Sequence, residues 1–584
     1  MAKKYHPPTL DLSELMENTY IKGKGVASHT YDAIVIGSGI SGSWAAKELC
    51  EKGLKVLVLE RGRLVKHIED YPTATMDSWD FENRGIMTPA EAQVRQKQLR
   101  AGFIKPENMH FFVNDQEHPY EEDKRFDWIR GYNTGGRSLT WGKQCYRWSD
   151  LDFEANAKEG IAVDWPIRYD DLAPWYDHVE RFIGVSGQKL GLKQLPDGQF
   201  LKPMDLNCLE TEVKKRVEKD FPGRVITIGR VAHLTEPLEG SVGRGICQFR
   251  NRCKRGCPYG AYFSANAVTL PAAERTGNMT LRPHSIVHEI IFDAAQGKAS
   301  GVRIIDEETK EASEYFADII FCNASTVGST ALLLNSVSDR FPNGMGNDSG
   351  ELGHNMMDHH YHAGARGRYT GLQDGYYQGR RPNGIYIPRY RNIDKASQTG
   401  DFLRGYGYQG GAQREDWSRG TAMKQFGPDF KEALTKPGEW KMALMGFGEC
   451  LPYHENRMYL HQTKKDQWGL PLVVFDAEFK ENELKMREKM KTDAAEMLEA
   501  GGLTDVEVFD NIGGVGKGIH EMGTARMGRD PKTSVLGEYN QIHAAPNVYV
   551  TDGACMTSSS CVNPSITYMA LTARAVDHAV KHAT

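Results

Sequence analysis

The sequence predicts a mixed α/β and α+β protein, with a parallel-sheet domain interleaved with a second domain built on an antiparallel sheet with helices. Three observations predict this. A strand–helix–strand pattern begins abruptly at Tyr31. Signals of the same kind return at Val548–Thr551 and Ser565–His582. Between them, residues 366–475 alternate aromatic, Gly and charged residues with few helix signals. With 584 residues, 40% hydrophobic and 26% charged, the chain has ample core and is neither disordered nor fibrous. A near balance of 72 Lys and Arg against 77 Asp and Glu speaks against a nucleic-acid partner. Met1–Pro8 is charged with no apolar run after it, so no secretory signal is expected. No stretch reaches the ~18 apolar residues of a spanning helix, so direct membrane insertion is not expected either.

Residues 1–29 are polar and irregular and read as a wrapping arm. Ala33-Ile34-Val35-Ile36 is a short apolar run, read as a strand buried on both faces. Ser43–Lys52 carries Ala and Leu at helical spacing, and Lys55–Glu60 is a second buried strand. Helical pieces are expected in Thr88–Gly102, and a helix over Asp170–Phe182 with Leu172, Trp175, Tyr176 and Val179 on one face. Leu281–Phe292 and Gly301–Asp306 read as hairpin-like strands, Ala317–Cys322 as a buried strand and Val327–Asn335 as a helix. Lys480–Gly501 is an amphipathic helix ended by Gly501-Gly502.

Gly37-Ser38-Gly39-Ile40-Ser41-Gly42 sits between the first strand and helix in the G-x-G-x-x-G form. Gly37 permits the tight turn, Gly39 lets a pyrophosphate approach the backbone, and Gly42 lets helix and strand pack closely. The helix N-terminus faces the anion. Glu60, 18 positions past Gly42, is placed to accept hydrogen bonds from a ribose. It reads as a dinucleotide turn of a Rossmann-like domain, against the plainer alternative of a structural glycine turn in an α/β core, and such a turn serves FAD and NAD alike. Arg61 and Val287 are counted with the same set.

A second glycine segment, Arg130–Gly142, includes Gly135, Gly136, Ser138, Trp141 and Gly142, and its paired glycines would let backbone lie against a flat ligand. Asp164-Trp165-Pro166-Ile167, Tyr169-Asp170-Asp171-Leu172 and Gly353-His354-Asn355-Met356-Met357-Asp358-His359 follow. Together these resemble the glucose-methanol-choline (GMC) oxidoreductase family over nearly the whole chain. The resemblance implies FAD as the cofactor. In some members a His of the second glycine segment is joined covalently to the flavin. Thr140 stands at that position here, which implies non-covalent FAD.

His520-Glu521-Met522-Gly523-Thr524-Ala525-Arg526-Met527-Gly528 is similar to the family's H-x-x-G-T-x-x-M block, and Asn563 lies 43 residues after His520. The resemblance implies that His520 and Asn563 are catalytic. Oxidising an alcohol removes a proton from oxygen, for which imidazole is suited, and a hydride from carbon, which a flavin accepts. Asn563 can bond the same substrate oxygen without competing for the proton. Asp552, Gly553 and Ser565 belong to the segments expected beside the cofactor. His354, His359 and His360 read as loop or packing residues, with a substrate contact as the lesser alternative.

Cys247, Cys253 and Cys257 stand in a C-x5-C-x3-C-P pattern. Structural zinc takes four ligands, and a disulfide leaves one thiol over. Three thiolates suit a [3Fe–4S] cluster, against the plainer alternative of a Cys-rich surface loop. Bacterial FAD-dependent sugar dehydrogenases that this chain resembles carry such a triplet. Arg244, Arg250, Arg252, Lys254 and Arg255 crowd the loop, fit to offset cluster charge or dock an acidic partner. The other seven cysteines show no ligand spacing.

The resemblance implies FAD-dependent oxidation of a sugar or glucoside ring hydroxyl to a ketone, C3 of a pyranoside foremost, as in glucoside 3-dehydrogenases. Electrons would leave through the cluster to an external acceptor, with a small partner subunit or a cytochrome c as partners. A sugar oxidase using O₂ and a non-catalytic flavin-binding subunit are the alternatives. Periplasmic localisation by co-export with a partner follows from the resemblance; the lack of a signal reads as cytoplasmic. The implied division is an FAD-binding domain (30–64, 126–150, 241–365 and 510–584) and a substrate-binding domain with insertions (65–125, 151–240 and 366–509).

Overall fold

A computed structural model describes residues 29–77, 79–375 and 383–582. All but the last residue of the arm expected over 1–29 lies outside the described residues. The strand His29–Ile36 is central to a mixed sheet, flanked in parallel by Ala312–Cys322 and Val56–Leu59. Met279–Arg282 extends the sheet on one side and Ala545–Tyr549 on the other, both parallel to their neighbours. Ile34, Val35, Leu57 and Val58 are wholly buried, as expected where helices cover both faces of parallel strands. Helix Ile40–Glu51 packs against helix Ser565–His582, so segments more than 500 residues apart in sequence lie side by side.

The hairpin expected from Leu281 is displaced. Met279–Arg282 belongs to the parallel sheet, and the hairpin is Ser285–Asp293 with Lys298–Asp306. Pro283 explains the break, because it has no N–H for the ladder, and His284 turns at φ 54°. The helical pieces expected in 88–102 are two short helices, Pro89–Gln93 and Gln96–Leu99. In helix Tyr169–Ile183, Leu172, Tyr176 and Val179 are buried.

The second sheet is antiparallel and six-stranded, in the order Thr504–Asp510, His360–Tyr369, Trp440–Gly448, Tyr406–Arg414, Ile385–Ile387, Thr227–Ile228. Helix Glu481–Ala500 covers one face. Its Met486, Met490, Ala494 and Met497 recur at helical spacing and pack on Ala363, Ala365, Tyr408 and Leu444. Ala443 and Met445, the alternate residues around Leu444, line a groove on the opposite face. Helix Gly427–Thr435 interrupts the stretch expected to be strand, and Pro428 at its first turn is its start signal.

Candidate active site

The two glycine segments meet. Gly37 turns at φ +92°, and a Cβ there would lie 2.4 Å from the Asn323 carbonyl oxygen. A Cβ at Gly42 would lie 1.8 Å from the Gly37 carbonyl oxygen, whereas one at Gly39 meets nothing within 4 Å. The Ser38 hydroxyl accepts from the Gly135 N–H at 3.0 Å, and Gly136 faces the Gly39 backbone. These residues form one cradle, open at Gly39, beside the C-terminal ends of the central strands, where open α/β sheets bind dinucleotides. FAD fits the cradle: the backbone is bare where a pyrophosphate approaches and tightly packed behind it.

Glu60 is tied to this turn. It accepts from the Ser38 N–H (3.0 Å), the Ser38 hydroxyl (2.6 Å) and the Gly62 N–H (3.0 Å). Ser138 is buried; its hydroxyl donates to the Gly135 carbonyl and accepts from the Ala265 N–H. Trp141 donates from Nε1 to the Phe263 carbonyl, Thr140 is buried, and Gly142 is exposed. Arg61 and Val287 share a cavity of about 110 Å³ with Trp128, Tyr132 and Gly328. The Asp552 carboxylate accepts from the Ser329 hydroxyl and the Ala554 N–H, and a Cβ at Gly553 would strike the Glu521 carbonyl. Ser565 begins the closing helix two residues after Asn563.

His520 and Asn563 are adjacent, with His520 Nε2 3.3 Å from Asn563 Nδ2. Burial pushes the His520 imidazole well below its ordinary pKa, and the nearby Arg137 guanidinium adds to this. The loop before it is pinned by Asp358, whose carboxyl accepts from the Gly516, Gly518 and His520 N–H groups at 2.7–3.0 Å. Burial and neighbouring Glu521 push Asp358 up to about 7. Ile519, immediately before the histidine, sits at φ 61°, a strained conformation for a β-branched residue.

Sequence reasoning did not reach four further groups. His359, taken as a packing residue, has Nδ1 2.7 Å from His520 Nδ1 and Nε2 2.9 Å from the Ser560 carbonyl oxygen. Gln409 Nε2 lies 2.8 Å from Asn563 Oδ1. Arg137 of the second glycine segment pairs through both terminal nitrogens with Glu521, at 3.1 and 2.7 Å. Glu521 is 2% exposed. Replacing Arg137 with Met would strand that carboxylate, and a loss of about 3–5 kcal/mol in denaturant unfolding is expected. An unchanged midpoint would show that the pair contributes nothing.

Gln409 also lines the groove, a cavity of about 1490 Å³ with Gln144, Asn383, Gln413 and Asn511 among its walls. The groove therefore reaches the side chain that bonds Asn563, the amide beside His520. Phe249 and Asn251 of the Cys loop stand on its rim.

The Cys triplet is not gathered as a ligand set. Among the described residues no group of three His, Cys, Asp or Glu side chains is arranged to hold a metal ion. Burial pushes the Cys247 thiol up to about 11 and raises that of Cys253, which lies 3.4 Å from His233 Nε2. Lys143 donates to the Cys253 carbonyl and is pushed down to about 8 by burial.

A bare-backbone cradle for a dinucleotide, and a neutral imidazole linked through Asn563 to the groove-lining Gln409, are the equipment of a flavin enzyme that oxidises CH–OH groups. Comparison with known proteins agrees: the chain belongs to the GMC oxidoreductase family, whose N-terminal part matches residues 31–361 and C-terminal part residues 452–572. It is an FAD-dependent oxidoreductase acting on CH–OH groups. It is 27% identical to 2-methyl-1,2-propanediol dehydrogenase of Mycolicibacterium austroafricanum, covering 94% of each chain. It is 24% identical to the fructose dehydrogenase large subunit of Gluconobacter japonicus, covering 94% of this chain and 97% of that one. Pyridoxine 4-oxidase from Mesorbium loti shares the fold, with a TM-score of 0.58 at 16% identity over 94% of this chain and 99% of that one. No described helix is long and apolar enough to cross a membrane.

Proposed function

We propose that this enzyme oxidises a ring hydroxyl of a sugar or glucoside to a ketone, with the C3 hydroxyl of a pyranoside foremost. The observation that carries this is Gln409, which both lines the groove and bonds Asn563 beside His520. The groove is far larger than a small diol needs, and its side-chain amides suit the alternating hydroxyls of a sugar.

In this reading Gly37, Gly39, Gly42, Glu60, Arg61, Gly135, Gly136, Ser138, Trp141, Gly142, Val287, Asp552, Gly553, Asn563 and Ser565 form the walls of the FAD site. FAD, bound there without a covalent link, supplies the hydride acceptor. Asn563 donates a hydrogen bond to the substrate hydroxyl and orients it. His520 Nε2 takes the hydroxyl proton. Because burial holds the imidazole neutral, its proton-accepting form is already present near neutrality. The pH must fall well below the ordinary histidine range before the base is lost. The rate of flavin reduction is therefore expected to show no limb from His520 near about 6.5, any change nearer pH 7 following Asp358, whose carboxyl is pushed up to about 7. A limb near about 6.5 in rapid-mixing data that persists in Asp358→Asn would contradict it.

The finer part of the proposal is that Cys247, Cys253 and Cys257, although not gathered as a ligand set in this structure, would hold a [3Fe–4S] cluster on closing around it; the cluster would supply one-electron transfer toward an acceptor such as a cytochrome c, with a small partner subunit and a periplasmic setting. The spacing and the surrounding Arg244, Arg250, Arg252 and Arg255 support it. Iron and sulfide analysis of anaerobically prepared protein tests it, and iron-free active enzyme would remove it. For the substrate, anaerobic flavin bleaching by pyranosides with product NMR is the test. Bleaching by 1,2-diols but by no sugar would overturn the reading.

A further inference from the structure

The hydrogen bonds around His520 can be assigned from one end. The Ser560 carbonyl oxygen can only accept, so His359 Nε2, 2.9 Å away, must carry a proton. Ser560 is itself held, with its hydroxyl donating to Asp152 at 2.7 Å and its backbone at φ 53°. His359 is fully buried and pushed down to about 4 by burial, so it is neutral and its Nδ1 bears a lone pair. That lone pair is 2.7 Å from His520 Nδ1, which must therefore be the donor. A neutral imidazole with its proton on Nδ1 has its lone pair on Nε2. Asn563 Nδ2 donates toward that atom, and Gln409 Nε2, donating to Asn563 Oδ1, keeps the amide from turning over.

We infer that His359 and Gln409 are positioning residues: His359 fixes the His520 tautomer that leaves the lone pair on Nε2, and Gln409 fixes the Asn563 amide so that its N–H groups face the same point. This rests on the reading of His520 as the base. The series Ser560, His359, His520, Asn563, Gln409 then has one consistent set of donors and acceptors, running from a fixed backbone carbonyl to the wall of the groove. When His520 Nε2 gains the substrate proton, the new positive charge is stabilised by the Nδ1–H bond already made to His359. A tautomer with the proton on Nε2 would instead place two lone pairs 2.7 Å apart at the two Nδ1 atoms and present no base to the groove.

The test uses FAD-loaded full-length enzyme, with anaerobic flavin reduction followed after rapid mixing with a sugar that bleaches the wild type. His359→Leu removes the acceptor and is expected to slow reduction about 100-fold, with half-saturating sugar changed less than about threefold. His359→Asn keeps an acceptor at the δ position and is expected to recover to within about tenfold of wild type. Gln409→Glu, the same shape with acceptors only, turns the Asn563 amide over and is expected to slow reduction by about 10–100-fold above neutral pH. A packing role would make Asn no better than Leu at His359 and leave Gln409→Glu at the wild-type rate, and either result overturns the inference. Should His359→Leu lose its flavin, the His359→Asn and Gln409→Glu rates decide alone: Asn slowed 100-fold, or Glu unslowed, overturns it. His520→Ala separates the two levels. If it reduces flavin as fast as wild type, the base reading itself fails; if it is inactive while Gln409→Glu and His359→Leu run at full rate, only the positioning inference fails.

Discussion

Replacing His520 with Ala is expected to slow flavin reduction by substrate by about 10²–10⁴-fold, the span usual for loss of a general base. The bound flavin should be unaffected. The side chain of His520 contacts His359 and Asn563, not the glycine cradle, and the loop carrying it is held by its own N–H on Asp358, which alanine retains. The Asp358 carboxyl also keeps Gly516 and Gly518, so the loop keeps its path without the ring. Absorbance at 450 nm against 280 nm reports flavin content, and rapid mixing without oxygen reports the chemical step. A variant with full flavin and wild-type reduction would assign the proton to another group. The effect should appear in the rate at saturation and not in half-saturating sugar, because Asn563, Gln409 and the groove walls that hold the substrate remain.

The cradle was readable because its physics is local. Gly37, Gly39 and Gly42 fall within six residues, and their spacing alone dictates which backbone must be bare. The buried strands were readable for the same reason: Ala33–Ile36 and Val56–Leu59 are apolar on both faces. The order in which strands from residues 29, 312 and 545 join is set by long-range pairing and has no local sign. His520 and Asn563 come together over 43 positions because a recognisable block marks each. His359 touches His520 from 161 positions away and Gln409 touches Asn563 from 154. Nothing near Gln409 signals its contact, and the segment ending in His359 marks the family without marking its partner, since both contacts arise from how the antiparallel sheet lies against the C-terminal loops. Glu60 shows another limit. Its spacing suggested a ribose ligand, yet three of its bonds go to Ser38 and Gly62, so a carboxylate at this position also serves the turn itself. The Cys triplet has cluster-like spacing, but spacing does not fix where buried thiols point, and no metal-holding group is formed among the described residues.

Gly42→Ala and Gly39→Ala, three residues apart, are expected to fail in different ways. At Gly42 the new methyl group would lie 1.8 Å from the Gly37 carbonyl oxygen and 3.4 Å from Val35. The obstacle is backbone of the turn, which cannot move without lifting helix Ile40–Glu51 off the central strand. Overpacking of this kind costs about 1–3 kcal/mol or more, and it deforms the turn that meets the pyrophosphate. Gly42→Ala is therefore expected to melt several degrees lower even without flavin and to retain almost none. At Gly39 the methyl group meets no protein atom within 4 Å, so the flavin-free protein should melt at or slightly above the wild-type temperature. The space it enters is the open side of the cradle. Gly39→Ala should thus lose FAD affinity alone, and with it the added stability a tightly held ligand confers, roughly 1.4 kcal/mol for each tenfold loss of affinity when FAD is in excess. Melting curves with and without added FAD, read with flavin content, separate the two. If Gly39→Ala binds FAD as tightly as wild type, the open side of the turn is not where the dinucleotide lies. If Gly42→Ala melts unchanged, helix and strand have more room than their backbone positions allow.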